Sequence, residues 1–130
     1  MSAPTQPLAL AWRTCGDARA WCRFETAVLP DAPASGILLV WSGSHEEERR
    51  CVYLAQGPIA SNLKWARQFE RICTLPELFV SWATLPEALQ SGVRNYLLVR
   101  LQPLFCDRAT CDEPITVELP WNRNEEWAPR

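Results

Sequence analysis

One apolar run constrains this chain more than any other feature, the stretch Gly-Ile-Leu-Leu-Val-Trp at residues 36–41. Because the run is continuous and rich in β-branched and aromatic side chains, it predicts a buried β-strand. A polar stretch follows at residues 42–50, and residues 51–54 form a second apolar segment. Two strands joined by a polar loop predict an antiparallel hairpin.

The segments after the hairpin predict a helix, a strand and a second helix. Residues 59–72 follow Pro58 and place apolar side chains at helical spacing, which predicts a helix with one apolar face. Residues 78–85 predict a third strand. Pro86 opens a helix expected to run to residue 101, with a kink or break at Gly92. Residues 1–35 predict an irregular segment with one short strand, and residues 114–121 a last extended segment.

Length and composition fit one folded domain. The chain has 130 residues, of which 48% are hydrophobic and 22% charged, as expected for a globular protein. Its seven Trp residues supply large apolar surfaces for a core. We predict an α/β (α+β) fold, with a small central antiparallel three-stranded sheet flanked by helices. The core is expected over about residues 10–121, and residues 1–9 and 122–130 are expected to form flexible tails.

Charge and targeting signals narrow the function classes. The net charge of −2 and the pI of about 5.4 lack the basic excess typical of dedicated nucleic-acid-binding domains. The N-terminus has no pattern of a secretory signal, and no run approaches the roughly 18 apolar residues of a membrane span. The sequence therefore predicts a cytoplasmic protein that does not contact a membrane.

The six cysteines are expected to be reduced thiols, since disulfides are rare in the cytoplasm. The pair Cys15 and Cys22 is spaced too widely for a typical structural zinc site, and the pair Cys106 and Cys111 fits one only marginally. Cys51 and Cys73 are expected to be small core residues, because they border apolar segments.

Several motifs, in order, resemble the GIY-YIG endonuclease superfamily. Gly-Ile-Leu at residues 36–38, followed by Val-Tyr-Leu-Ala-Gln-Gly at residues 52–57, is similar to the two short motifs that name it. The helix after Pro58 looks like the family's first catalytic helix, and residues 78–104 look like the strand and glutamate-bearing helix of small bacterial members. Residues 114–121 are similar to the end of such members. The resemblance covers about residues 10–121.

The resemblance implies four catalytic positions. The family carries a Tyr in each short motif, an Arg on the first helix and a metal-binding Glu on the later helix. The metal and the Arg neutralise charge that develops on the phosphate, and the Tyr residues position the attacking water. These positions are filled here by Leu38, Tyr53, Asn62 and Arg94. Only Tyr53 is retained, and it is interpreted as vestigial.

Loss of these side chains predicts a pseudo-nuclease. Arg94 cannot ligate a cation and repels one at close range. We expect no cofactor, with Mg²⁺ or Mn²⁺ relevant only if residual nuclease activity exists. The first hypothesis is a catalytically degenerate domain that acts as a protein-interaction module or as a subunit of a larger assembly. Exposed tryptophans would anchor that interface; the candidates are Trp12, Trp65, Trp121 and Trp127.

Two alternatives stay open. The domain could bind DNA or RNA without cleaving it, in a groove lined by Asn62, Lys64, Arg67 and Arg94. It could also be a metal-dependent endonuclease with residual activity. The only histidine, His45, lies in an acidic stretch, which indicates a solvated loop rather than a metal or acid–base site.

Overall fold

The computed structural model describes residues 8–13, 21–29, 34–43, 49–106 and 114–120. These residues form a mixed α/β fold around a five-stranded sheet with strand order β1-β4-β2-β3-β5. The elements, in chain order, are β1 (Cys22–Arg23), β2 (Ser35–Ser42), β3 (Arg50–Pro58), α1 (Ile59–Gln68), α2 (Glu70–Cys73), β4 (Leu78–Thr84), α3 (Glu87–Leu101) and β5 (Phe105–Cys106).

The sheet has more strands than the sequence predicts. Its three long strands, β4, β2 and β3, are antiparallel neighbours, with β2 in the middle. The two additional strands have only two residues each; β1 pairs antiparallel with β4, and β5 pairs parallel with β3. The predicted three-stranded sheet is therefore incomplete. Two-residue strands carry no periodic pattern, because their pairing depends on distant partners.

Each face of the sheet is covered by a separate apolar cluster. Leu38 and Val40 of β2 face α1 and α2, whereas Ile37 and Leu39 face α3. Alternate side chains of a strand point to opposite faces, so a strand covered on both sides is apolar throughout. This is the physical reason for the uninterrupted run, and the prediction of a buried strand is confirmed.

The pairing of β2 with β3 contains an irregularity. The register shifts between Val40 and Trp41, so that Val40 pairs with Tyr53 and Trp41 pairs with Cys51. Val52 is the extra residue, as in a β-bulge. Consequently both Val52 and Tyr53 belong to the cluster that faces α1.

The helices correct two boundaries. The predicted helix at residues 59–72 is interrupted at Phe69, whose extended backbone (φ −88°, ψ 105°) separates α1 from α2. The predicted break at Gly92 is absent, since α3 runs continuously through it. Gly92 instead lies where the C-terminal segment meets the helix, because the Ile115 N–H donates to the Gly92 carbonyl at 2.8 Å.

Two glycines are required where β2 meets its neighbours. Gly36 lies so close to β4 that a Cβ atom would be 2.0 Å from the Ala83 carbonyl oxygen. Its partner in β3, Gly57, has a φ of +108°, a conformation that L side chains rarely adopt. These constraints fix the chain just before α1 begins.

The terminal segments pack on the α3 side. The Trp12 indole N–H donates to the Glu118 carbonyl at 2.6 Å, and Leu8 forms a parallel bridge with Val117. Both observations agree with an extended segment near residues 114–121. Trp12 is 3% exposed, so it is a core residue.

The cysteines depart from the expectation of reduced thiols. Cys22 takes part in a disulfide; Cys15 and Cys111 lie outside the described residues. Cys51, Cys73 and Cys106 are free. Cys51 is buried as predicted, but Cys73 is exposed. Among the described helices, none has the length and apolarity needed to cross a membrane.

Candidate functional site

Tyr53, the residue that the sequence resemblance implies is retained, lies on β3 beneath α1. Its side chain is only 6% exposed, because the bulge turns it into the α1-facing cluster. The ring centroid lies 5.2 Å from that of Trp65, which is the spacing of interacting aromatic rings. Tyr53 is thus covered by an aromatic side chain of α1.

A continuous row of aromatic rings begins at this contact. Trp65 stacks on Phe69 with centroids 4.9 Å apart, and Phe69 meets Phe105 edge-on at 5.0 Å. The Arg71 guanidinium lies 5.1 Å above the Phe105 ring, within the range of a cation–π contact. We call Tyr53, Trp65, Phe69, Phe105 and Arg71 the aromatic row.

The aromatic row is accessible from solvent at its centre. Trp65 is 48% exposed although both of its neighbours in the row are partly or fully buried. An exposed tryptophan held by ring contacts, in a row that ends on an arginine, has the composition of an interface hot spot. The break at Phe69 allows this geometry, since it lets one ring contact both α1 and β5.

Two further positions that the resemblance implies, Leu38 and Asn62, are used by the fold on this side. Leu38 is fully buried in the α1-facing cluster. The Asn62 side-chain amide donates to the Gln56 backbone carbonyl at 3.0 Å, and the Gln56 amide donates to the Ser91 hydroxyl at 3.1 Å. These bonds link the start of α1 to the end of β3, and the end of β3 to α3.

Arg94 lies on α3, against the opposite face of the sheet from α1. It is 1% exposed, and its Nη2 atom lies 3.5 Å from the Asn95 Oδ1 atom. The structure therefore does not bring Arg94 together with Lys64 and Arg67. A divalent cation does not fit these positions, because Leu38 offers no ligand atom and Arg94 offers a positive charge.

Lys64 and Arg67 do lie together, beside a pocket of about 500 Å³ between α1 and residues 27–29. The two Arg67 nitrogens Nε and Nη2 donate to the carbonyls of Phe24 and Ala27 at 2.9 and 2.8 Å. Arg67 thus fastens the segment after β1 to α1. Lys64 is exposed.

Comparison with protein-family models, with curated proteins and with solved structures finds no match. Within the described residues, no group of three or more His, Cys, Asp or Glu side chains could hold a metal ion. His45, Trp121 and Trp127 lie outside the described residues.

The sequence indicated only part of the aromatic row. Tyr53 was singled out by the motif and Trp65 as a possible exposed anchor. Phe69 carried the signal of a core helix residue, and Arg71 and Phe105 carried none. Their meeting depends on the helix break and on the β3–β5 pairing, neither of which has a local pattern.

Proposed function

We propose that this chain is a catalytically degenerate GIY-YIG-like domain that acts as a protein-interaction module or as a subunit of a larger assembly. The aromatic row carries the proposal, because Trp65 is held rigidly between Tyr53 and Phe69 and is still 48% exposed. Rigid aromatic side chains lose little entropy on binding and fill pockets on a partner.

The chemistry of the row describes the partner. An apolar side chain of the partner would cover Trp65, and a carboxylate at the rim would meet Arg71, which is exposed. Tyr53 would then support the Trp65 ring from below. In this role the retained tyrosine positions an interface residue and contacts no phosphate.

The absence of nuclease activity is the second part of the proposal. Leu38 is a core residue, the Asn62 amide is engaged by Gln56, and Arg94 is buried on another helix. The family mechanism needs a metal and a positioned water, and these side chains supply neither. No cofactor is proposed, and Mg²⁺ or Mn²⁺ would matter only to a residual nuclease.

A photocrosslinking experiment tests the interaction surface. A photoreactive phenylalanine analogue replaces Trp65 in one variant and Val99 in another; Val99 is a matched control, since it is 73% exposed and lies on α3. We expect one discrete crosslinked protein from Trp65 and none from Val99. The captured protein, once purified, should bind the wild type and lose affinity for Trp65→Ala. Equal capture at both positions, or unchanged affinity, would refute the proposal.

Binding of DNA or RNA without cleavage is the alternative. Lys64 is exposed next to Trp65, and a base could stack on an exposed aromatic ring. A titration with single- and double-stranded DNA and RNA decides the matter. Affinity that falls steeply with salt and requires both side chains would favour this alternative, whereas no binding at low salt would eliminate it.

A cytoplasmic location is also proposed; the disulfide at Cys22 weighs against it, since disulfides are rare in the cytoplasm, and it therefore provides the test. Thiols trapped by rapid alkylation in intact cells should show Cys22 reduced if the protein resides in the reducing cytoplasm. A protein recovered with Cys22 fully oxidised would contradict that location.

A further inference from the structure

A second pocket, whose lining is mainly polar, lies at the N-terminal end of β3, on the side of α3. Three arginines line it, Arg49 and Arg50 at the start of β3 and Arg100 in the last turn of α3. Arg50 and Arg100 are far apart in the sequence and become neighbours because the end of α3 packs beside the first residues of β3. We call this the arginine pocket.

The backbone around the pocket is well defined. α3 ends at Leu101, and Gln102 adopts a left-handed conformation (φ 48°, ψ 63°) whose N–H donates to the Leu98 carbonyl at 3.0 Å. Gln102 lines the pocket together with Leu101 and Leu119; Gln102 is exposed and Leu101 is partly exposed, whereas Leu119 is buried. The pocket therefore combines charge with the partly exposed apolar side chain of Leu101.

The position of Arg49 is set by aromatic rings. Its guanidinium lies 5.4 Å from the Trp41 ring centroid and 5.8 Å from that of Trp21. Cation–π contacts orient a guanidinium and leave its positive charge in place. Arg49 is half-buried, whereas Arg50 and Arg100 are exposed, so two guanidinium groups of the pocket can reach a ligand from solvent.

The electrostatics of the lining favour an anion. No acidic side chain is among the described lining residues, and burial keeps the Cys51 thiol neutral by raising its pKa to about 12. The end of α3 contributes roughly half a negative charge, which is small beside the two exposed guanidinium groups of Arg50 and Arg100. An anion between them relieves their mutual repulsion, and planar guanidinium groups match the oxygens of a phosphate.

We propose that the arginine pocket binds a small phosphate monoester, with the phosphate between Arg50 and Arg100 and the organic group against Leu101. The volume of about 460 Å³ is far more than a phosphate ion fills, which leaves room for an organic group of nucleotide size. This site shares no residue with the aromatic row, so the two proposals stand or fall separately.

Isothermal titration with adenosine 5′-monophosphate, glycerol 3-phosphate, inorganic phosphate and adenosine tests the site. We expect the nucleotide to bind most tightly, the other two phosphates more weakly and adenosine not to bind. Arg50→Gln and Arg100→Gln should each weaken nucleotide binding by roughly tenfold or more, because each removes a charge-assisted contact. Arg23→Gln is the matched control; Arg23 is exposed and lies over Phe79, and its loss should leave the affinity unchanged.

Three outcomes would overturn the proposal. The first is the absence of phosphate-dependent heat with the wild type. The second is an equal loss of affinity in Arg23→Gln, which would indicate attraction by overall charge. The third is nucleotide binding that appears only in a variant with Glu46, Glu47 and Glu48 all changed to Gln, the acidic residues that precede Arg49 in the sequence. That result would mean that the chain's own carboxylates occupy the arginines in the wild type. Trp65→Ala should retain full phosphate affinity.

Discussion

Two pairs of arginines are used in opposite ways. Arg67 is half-buried and Arg94 is buried. Arg67 donates hydrogen bonds to two backbone carbonyls of the segment after β1. Arg50 and Arg100 are exposed around a pocket. The resemblance to a nuclease singled out Arg67 and Arg94 as candidate site residues. In the structure, Arg67 instead holds two segments together and Arg94 is packed inside the protein. A resemblance between sequences can therefore indicate which residue to inspect, but the contacts of that side chain in the structure indicate what it does.

Removal of Arg94 should have the largest effect on stability. Arg94→Ala leaves a cavity where a fully buried side chain stood and removes the contact with the Asn95 amide oxygen, so we expect the free energy of unfolding to fall by about 3 kcal/mol. Arg94→Met, which keeps much of the apolar volume, should lose clearly less. Urea denaturation measures both. An Arg94→Ala protein as stable as the wild type would mean that the fold does not depend on this side chain.

Arg67→Ala should have the next largest effect. We expect the free energy of unfolding to fall by about 2 kcal/mol, because two carbonyl acceptors lose a charged hydrogen-bond donor. The neighbouring exposed substitution Lys64→Ala is the control and should change little. Hydrogen exchange adds a local measurement, since the amides of residues 24–29 should exchange faster in Arg67→Ala. Unchanged exchange there would show that the segment is held by other contacts.

Alkaline pH should destabilise the protein through Cys51. Burial first, and the neighbouring Cys106 second, raise the pKa of Cys51 from 9.0 to about 12. The unfolded chain then loses this proton near pH 9 while the native thiol keeps it, so stability declines as the pH rises from about 9 towards 12. Cys51→Ala should flatten part of that decline in denaturation midpoints. An identical decline in the variant would assign it to other groups.

Removal of the exposed arginines, Arg50 and Arg100, should have the smallest effect on stability. Arg50→Gln and Arg100→Gln remove charges whose side chains face solvent, and we expect changes of about 0.5 kcal/mol or less in the free energy of unfolding. Thermal unfolding of each variant beside the wild type checks this. A loss as large as that of Arg67→Ala would erase the distinction between the two pairs of arginines.

Local sequence patterns predicted the long elements because each has a buried face. The run at residues 36–41 and the apolar spacing of Ile59, Leu63 and Ala66 correspond to β2 and α1. The interruption at Phe69 escaped prediction, since no glycine or proline marks it. The edge strands β1 and β5 escaped because pairing between distant segments creates them.

The residues of the two proposed sites were likewise predicted only in part. Trp65 was a candidate anchor from composition alone, but so was Trp12, and only the packing shows that one is exposed and the other is buried. Arg49, Arg50 and Arg100 had no shared signal, because the packing of α3 beside β3 brings them together. Residue types suggest which chemistry is possible, and topology decides which residues meet.

A plasmid nicking assay with Mg²⁺ and with Mn²⁺ tests the central claim most directly. We predict that the wild type and Tyr53→Phe both leave supercoiled DNA intact, because the positions that the resemblance implies hold a leucine, an engaged amide and a buried arginine. Metal-dependent nicking by the wild type that disappears in Tyr53→Phe would contradict the claim and establish Tyr53 as a catalytic residue.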